Sequence, residues 1–93
     1  MNVLVVGASG GVGSFAVQIA KAYGAEVTGV CRTEKMAMVR EIGADHVIDY
    51  TAEDYRASGE RYDLIVDIAA RGGLAAIRHC LQPGGGYVVI GGT

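Results

Sequence analysis

From Asn2 to Val6 the chain is dominated by aliphatic residues with no polar alternation, the pattern of a strand covered on both faces. Gly7 to Gly13 breaks that run with four glycines, and a turn must follow the strand. Apolar residues then fall at Phe15, Ala16, Ile19, Ala20 and Tyr23, a helical spacing starting near Val12, with Gly24 placed for a left-handed C-terminal cap. The same alternation continues. Glu26 to Val30 predicts a second strand, and Thr33 predicts the cap of a helix carrying Met36, Val39 and Ile42 and closed by Gly43. His46 to Asp49 predicts a third strand. Thr51 and Asp54, at capping-box spacing, predict a short helix to about Ala57, ended by Ser58-Gly59. Tyr62 to Ile68 predicts a fourth strand, Leu74, Ile77, Cys80 and Leu81 a fourth helix, and Pro83-Gly84-Gly85 a turn into a fifth strand at Tyr87 to Ile90. Strands alternating with helices imply a doubly wound α/β fold: an open parallel sheet of five strands, right-handed crossovers and helices on both faces.

Composition narrows what such a sheet does. At 93 residues, 51% hydrophobic and 19% charged, the chain builds one core and one domain, and is neither disordered nor collagen-like despite 15 glycines against one proline. The formal charge of -2 has no basic tract behind it, which argues against a nucleic-acid partner. No stretch approaches a membrane span, and Met1 runs straight into a strand, so a cytoplasmic protein with no membrane partner is expected. Cys31 and Cys80 lack close Cys or His companions, giving neither a disulfide framework nor a zinc pattern, and His46 and His79 read as ordinary histidines.

The glycines carry the chemistry. Gly7-Ala8-Ser9-Gly10-Gly11-Val12-Gly13 joins a strand to a helix, which points backbone N–H groups and the positive end of a helix dipole at an anion. A parallel sheet binds ligands beyond the carboxyl ends of its strands, where this loop lies, so a phosphate is the expected guest. The literal G-x-G-x-x-G/A match at Gly11, Gly13 and Ala16 falls too far into the helix to form the turn. Aligned on the helix start, Gly13 becomes the packing glycine and Gly10 the close-approach glycine, with Ala8 standing where a first turn glycine belongs. No Lys-Ser/Thr pair follows, which excludes a P-loop. At the end of the second strand, where an acid would select NAD, the chain reads Val30-Cys31-Arg32-Thr33-Glu34-Lys35. Arg32, with Lys35 one helical step on, suits the 2′-phosphate of NADP; Glu34 would oppose it only by turning inward.

These residues resemble the cofactor-binding, Rossmann-type domain of the medium-chain dehydrogenase/reductases, in particular the zinc-independent NADPH:quinone oxidoreductase branch. The likeness covers essentially the whole chain and rests on the glycine loop with Val17-Gln18-Ile19-Ala20-Lys21, on Gly43-Ala44-Asp45-His46-Val47-Ile48-Asp49-Tyr50, and on Leu81-Gln82-Pro83-Gly84-Gly85-Gly86. It implies that the amides of Ser9, Gly10, Gly11 and Val12 hold a pyrophosphate, and that Arg32, Lys35 and Tyr50 surround the adenosine 2′-phosphate. Ala69, Ala70, Gly91 and Gly92 would face the nicotinamide. It also implies hydride transfer from NADPH to a quinone or an activated alkene or carbonyl, no zinc, and no catalytic residue within this segment. A separate catalytic domain and a sixth strand would be missing partners of this piece, which alone is expected to bind cofactor only.

Three rivals are weighed against this. A short-chain dehydrogenase matches Gly7, Gly11 and Gly13, but Ile65-Val66-Asp67-Ile68-Ala69-Ala70 is not its Asn-Ala-Gly turn and no Tyr-x-x-x-Lys occurs. A class I methyltransferase shares the glycine loop and the Pro-Gly-Gly turn, yet wants an acid where Arg32 stands. A non-catalytic NADP sensor stays open. Asp49 and Asp67 read as loop hydrogen-bond acceptors, Cys31 as a thiol without a base, and Arg71 as a solvated arginine. An unpaired fifth strand would leave an apolar edge and favour self-association.

Overall fold

A computed structural model of the chain describes residues 1–57, 59–68 and 77–90. Five parallel strands form one sheet: β1 (Asn2–Val6), β2 (Glu26–Cys31), β3 (His46–Asp49), β4 (Tyr62–Asp67) and β5 (Leu81–Val89), in the order β3-β2-β1-β4-β5. The helices α1 (Gly11–Ala22) and α2 (Met36–Glu41) cross between them. The chain therefore winds outward from β1 in both directions, and the switch of direction lies between β1 and β4.

The unalternating strands are explained by two cores. Val3 and Val5 of β1 pack with Val17, Val27 and Val39 on the face that α1 and α2 cover, while Leu4 and Val6 pack with Val30, Tyr62, Ile65 and Ile77 on the other. Successive side chains point to opposite faces, so a strand buried on both must be apolar at every position. Two inner residues of β2 depart from that pattern, Thr28, which is buried and polar, and Gly29. A β-carbon on Gly29 would stand 2.7 Å from Val39 Cγ1 and 3.0 Å from the Ala8 methyl, so α2 and the glycine loop approach the sheet over a strand position with no side chain.

Several elements differ from expectation. Of the apolar positions of α1, Ala16 and Ala20 pack on the core beside buried Val17, but Val12, Phe15, Ile19 and Tyr23 stay exposed. Thr33 does not cap α2. It begins a 3-10 turn, Thr33–Lys35, that leads into α2, and its hydroxyl donates to Asp49. The helix expected from Thr51 is reduced to a 3-10 turn at Tyr55–Ala57, because the Thr51 hydroxyl also serves Asp49 and Asp54 instead accepts from the Arg56 N–H, 2.9 Å. Leu81 is not helical: it opens β5 opposite Tyr62, and Pro83-Gly84-Gly85 is an irregularity within that strand before Gly86 pairs with Leu64. The strand thus begins earlier than Tyr87 and ends at Val89. Of the expected fourth helix, Leu74 lies outside the described residues, and Arg78–Cys80 forms a 3-10 turn. Gly24 and Gly43 close α1 and α2 at φ of 83° and 126°, as capping glycines should. Among the described residues, no helix is long and apolar enough to cross a membrane.

Candidate functional site

The glycine loop is a compact turn. Both Gly7 N–H and Ala8 N–H donate to Val30 O, at 3.1 and 3.0 Å, and Gly10 N–H reaches back to Gly7 O. The left-handed residue is Gly7, at φ 90°, so the turn glycine stands one place before the position Ala8 occupies. Ala8 itself is buried under α1 against the Gly29 gap. Gly13 is the packing glycine: a β-carbon there would fall on the Gly7 carbonyl oxygen and within 2.9 Å of Ala8 Cα. Gly10 and Gly11 are not required by packing, since a β-carbon on Gly10 would meet only Gly7 O at 3.8 Å and one on Gly11 nothing within 4 Å. That open space is where α1 begins. Its ladder starts with Ser14 N–H donating to Gly10 O at 2.8 Å, and the first turn holds no acid, so the N–H groups of Gly11, Val12 and Gly13 are open to an anion, whereas that of Gly10, expected to join them, is already given to Gly7 O.

Beside the loop, past the carboxyl ends of β1, β2 and β3, runs a cleft of about 550 Å³. Ser9, Arg32 and Tyr50 line it, together with Cys31 and the segment from Thr51 to Arg56. Lys35 is exposed at the end of its 3-10 turn and is not among the lining residues, nor are Gly10, Gly11 and Val12, which sit at the start of α1. Ala69, Ala70, Gly91 and Gly92, expected on the nicotinamide side, lie outside the described residues, as does Arg71.

The electrostatics of the cleft are set by local pairs. Arg32 Nε lies 3.4 Å from Glu34 Oε1, with both side chains about two-thirds exposed, so Glu34 turns toward the guanidinium and not away into solvent alone. Arg56 Nε pairs with Asp54 at 3.0 Å, and that contact holds the Asp54 carboxyl below its usual range. Asp49, at the end of β3, accepts from the hydroxyls of Thr33 and Thr51 and from the Thr51 N–H; the Thr33 hydroxyl contributes most to keeping it ionised. Burial, with the charges of Asp49 and Glu34 behind it, pushes the Cys31 thiol upward, which makes it a poor nucleophile. Asp67 is buried at the end of β4 and accepts from Tyr87 OH at 2.7 Å; burial foremost, and then that bond, drives Tyr87 up to about 12. Both aspartates are hydrogen-bond acceptors, as their positions suggested.

Sequence reasoning missed Tyr55 and Arg56 as walls of the cleft. Reading Thr51 to Ala57 as a helix sent them elsewhere; the signal was Asp54, a residue that turns the chain as readily as it caps a helix.

A five-stranded, doubly wound parallel sheet with a glycine loop, an open helix start and an arginine beyond β2 is a Rossmann-type domain. A model of the family described as zinc-binding dehydrogenase matches residues 11–93, and the chain belongs to that family, the medium-chain dehydrogenase/reductases. Over 67 residues, 69% of this chain, it is 51% identical to the NAD(P)H oxidoreductase RTN4IP1, mitochondrial, of Mus musculus, of which it spans 17%. It is 44% identical over 68 residues, 71% of its length, to the NADPH-dependent alkenal/one oxidoreductase, chloroplastic, of Arabidopsis thaliana, of which it spans 18%. Its fold matches the quinone oxidoreductase from Coxiella burnetii with a TM-score of 0.84 at 31% identity, over 97% of this chain and 29% of that one. The chain therefore spans less than a third of each of these proteins, the portion that forms the cofactor domain. Family membership removes the short-chain dehydrogenase and methyltransferase alternatives. Among the described residues, no three His, Cys, Asp or Glu side chains converge.

Proposed function

We propose that this chain holds NADPH for an oxidoreductase that reduces a quinone or an activated alkene or carbonyl. The observation that carries the cofactor reading is that Arg32 and Tyr50 share one cleft beyond β2 and β3, with an arginine at the place an NAD-selecting acid would take. The residues fit the group. The N–H groups at the start of α1 and the open space over Gly11 suit the pyrophosphate, and the Arg32 guanidinium suits a 2′-phosphate by a charge-assisted hydrogen bond. NADPH, when bound, supplies a hydride from its nicotinamide ring, and the acceptor takes its balancing proton from solvent or from a group outside this segment. The quinone and alkene classes come from what the named relatives act on.

Fluorescence titration of the chain with NADPH and NADH tests this. NADPH is expected to bind about tenfold more tightly, the size of one charge-assisted contact. Arg32→Ala is expected to erase the difference by weakening NADPH alone. Equal affinity of the unaltered chain for the two cofactors would sink the assignment.

A further inference from the structure

Arg32 and Tyr50, a cation and an aromatic ring of the cleft, stand on different loops, and one side chain ties those loops together. Arg32 and Thr33 follow β2; Tyr50 and Thr51 follow β3. The backbone ladder between the two strands ends at Tyr50 N–H donating to Cys31 O, 3.1 Å. Beyond that bond the loops meet through the Asp49 carboxylate. One of its oxygens accepts from the Thr33 hydroxyl, and the other from Thr51 N–H at 2.9 Å and the Thr51 hydroxyl at 2.6 Å. Each hydroxyl has one proton, and both are committed to Asp49. The two hydroxyl oxygens consequently sit 3.2 Å apart. Asp49 is only 8% exposed, and Thr33 and Thr51 reach it from the surface.

We propose that Asp49 is a positioning residue, holding Arg32 and Tyr50 at the separation that a 2′-phosphorylated adenosine requires and thereby setting the preference for that nucleotide. This rests on the NADPH reading above. Thr33 and Thr51 stand directly after Arg32 and Tyr50, and Thr51 itself lines the cleft, so loosening either hydroxyl releases its neighbour without touching the glycine loop, which on that reading binds a different part of the cofactor. Asp49→Asn keeps the shape: its amide oxygen accepts from Thr51, and its NH₂ donates to a Thr33 hydroxyl that has turned round. Asp49→Ala keeps nothing.

Calorimetric titration of the chain with adenosine 2′,5′-bisphosphate and with AMP separates the possibilities. Thr33→Val and Asp49→Ala are expected to lose about fivefold of the preference for the bisphosphate while AMP affinity stays within about twofold, and Asp49→Asn is expected to retain the preference. Variants that keep the full preference, or that lose both nucleotides in parallel, overturn the proposal while the unaltered chain's preference upholds the NADPH reading. An unaltered chain indifferent to the 2′-phosphate overturns that reading and the selectivity role with it. In the unliganded protein, side-chain NOEs between Thr33 and Thr51 should be present and vanish in Asp49→Ala; their persistence overturns the tie itself.

Discussion

Gly13 lies against the backbone of Gly7 so closely that no side chain fits between them, and a β-carbon on Gly13 would sit 2.8 Å from the Gly7 carbonyl carbon. This contact seats α1 on the end of β1 and fixes where its first N–H groups point. Gly11, two residues earlier, faces nothing within 4 Å. The two glycines should respond oppositely to alanine. Gly13→Ala pushes backbone against backbone and is expected to cost about 1–3 kcal/mol or more and to abolish cofactor binding. Gly11→Ala is expected to leave stability unchanged or to raise it by up to about 1 kcal/mol, because alanine favours a helix, while weakening NADPH by filling ligand space. Denaturant midpoints and cofactor titrations read both; a Gly11→Ala chain that binds NADPH with full affinity would place the pyrophosphate elsewhere.

Gly29 makes a similar test within the sheet. Its would-be β-carbon meets the Val39 methyl and the Ala8 methyl, both in the same packed core. Gly29→Ala is expected to destabilise by about 1–3 kcal/mol through overpacking, despite the better strand propensity of alanine. Trimming the partner restores space, so Gly29→Ala with Val39→Ala should lose less than the sum of the two single losses. Strict additivity would show that Gly29 and Val39 do not share one space.

Strands were legible because burial on both faces leaves an unbroken apolar run, and the loop was legible because four glycines crowd one strand–helix junction. The rest depended on register. Thr33 and Thr51 carry the local signal of helix caps, yet Cys31 pairs with Asp49 across β2 and β3, and only that pairing brings both hydroxyls to one carboxylate. Helical period placed α1 but not its buried side, since apolar residues surround it and Val17 packs with the small Ala16 and Ala20 while Phe15 and Ile19 stay exposed. Gly29 gave no warning in sequence, where a glycine inside a strand marks a close approach without saying of what. Glu34 turned toward Arg32, a choice between two rotamers that spacing leaves open.

That pairing leads to a charge-specific expectation. Glu34 and Arg32 are both well exposed, so their contact contributes little stability, and Glu34→Gln is expected to shift the unfolding midpoint negligibly. On the proposed reading, a 2′-phosphate would share the guanidinium with Glu34. Removing the competing carboxylate is therefore expected to raise NADPH affinity about twofold to fivefold with NADH unchanged, and to flatten the salt dependence of the preference. A gain for both cofactors alike would show that Glu34 acts on the cleft's general field and not on Arg32.

Acid should weaken the fold through its carboxylates. The Val27 N–H and then Lys21 hold Asp45 below its ordinary value, the threonine hydroxyls do so for Asp49, and Arg56 for Asp54. Each folded-state value is depressed relative to the unfolded chain, so the stabilisation is complete above the unfolded carboxylate pKa of about 4 and is lost as pH falls through the folded values. Urea midpoints are expected to be level from neutrality to about pH 5 and to fall below about pH 4. Asp45→Asn should lower the plateau and shallow the acid limb, because one of the three contributors no longer titrates. An acid limb of unaltered depth in that variant would assign the loss to other carboxylates.

The edge of the sheet is expected to govern whether the chain associates with itself in solution. Among the described residues β5 pairs with β4 alone, and Val88 and Val89 are 45% and 47% exposed near its end. An apolar strand with one free edge presents unpaired N–H and C=O groups to any similar strand, and a second copy of this chain carries the same edge. Two copies joined there would bury the valines and complete each other's ladders. Sedimentation is expected to show concentration-dependent association in the micromolar range, and Val88→Lys, which places a charge on the strand without touching its bonds to β4, should shift the chain to monomer while preserving cofactor binding. A monomer at every concentration would mean that the edge is too short or too twisted to pair. If Val88→Lys instead lost NADPH as well, β5 would be reporting on the cleft, since Tyr87 beside it is bonded to Asp67 at the end of β4.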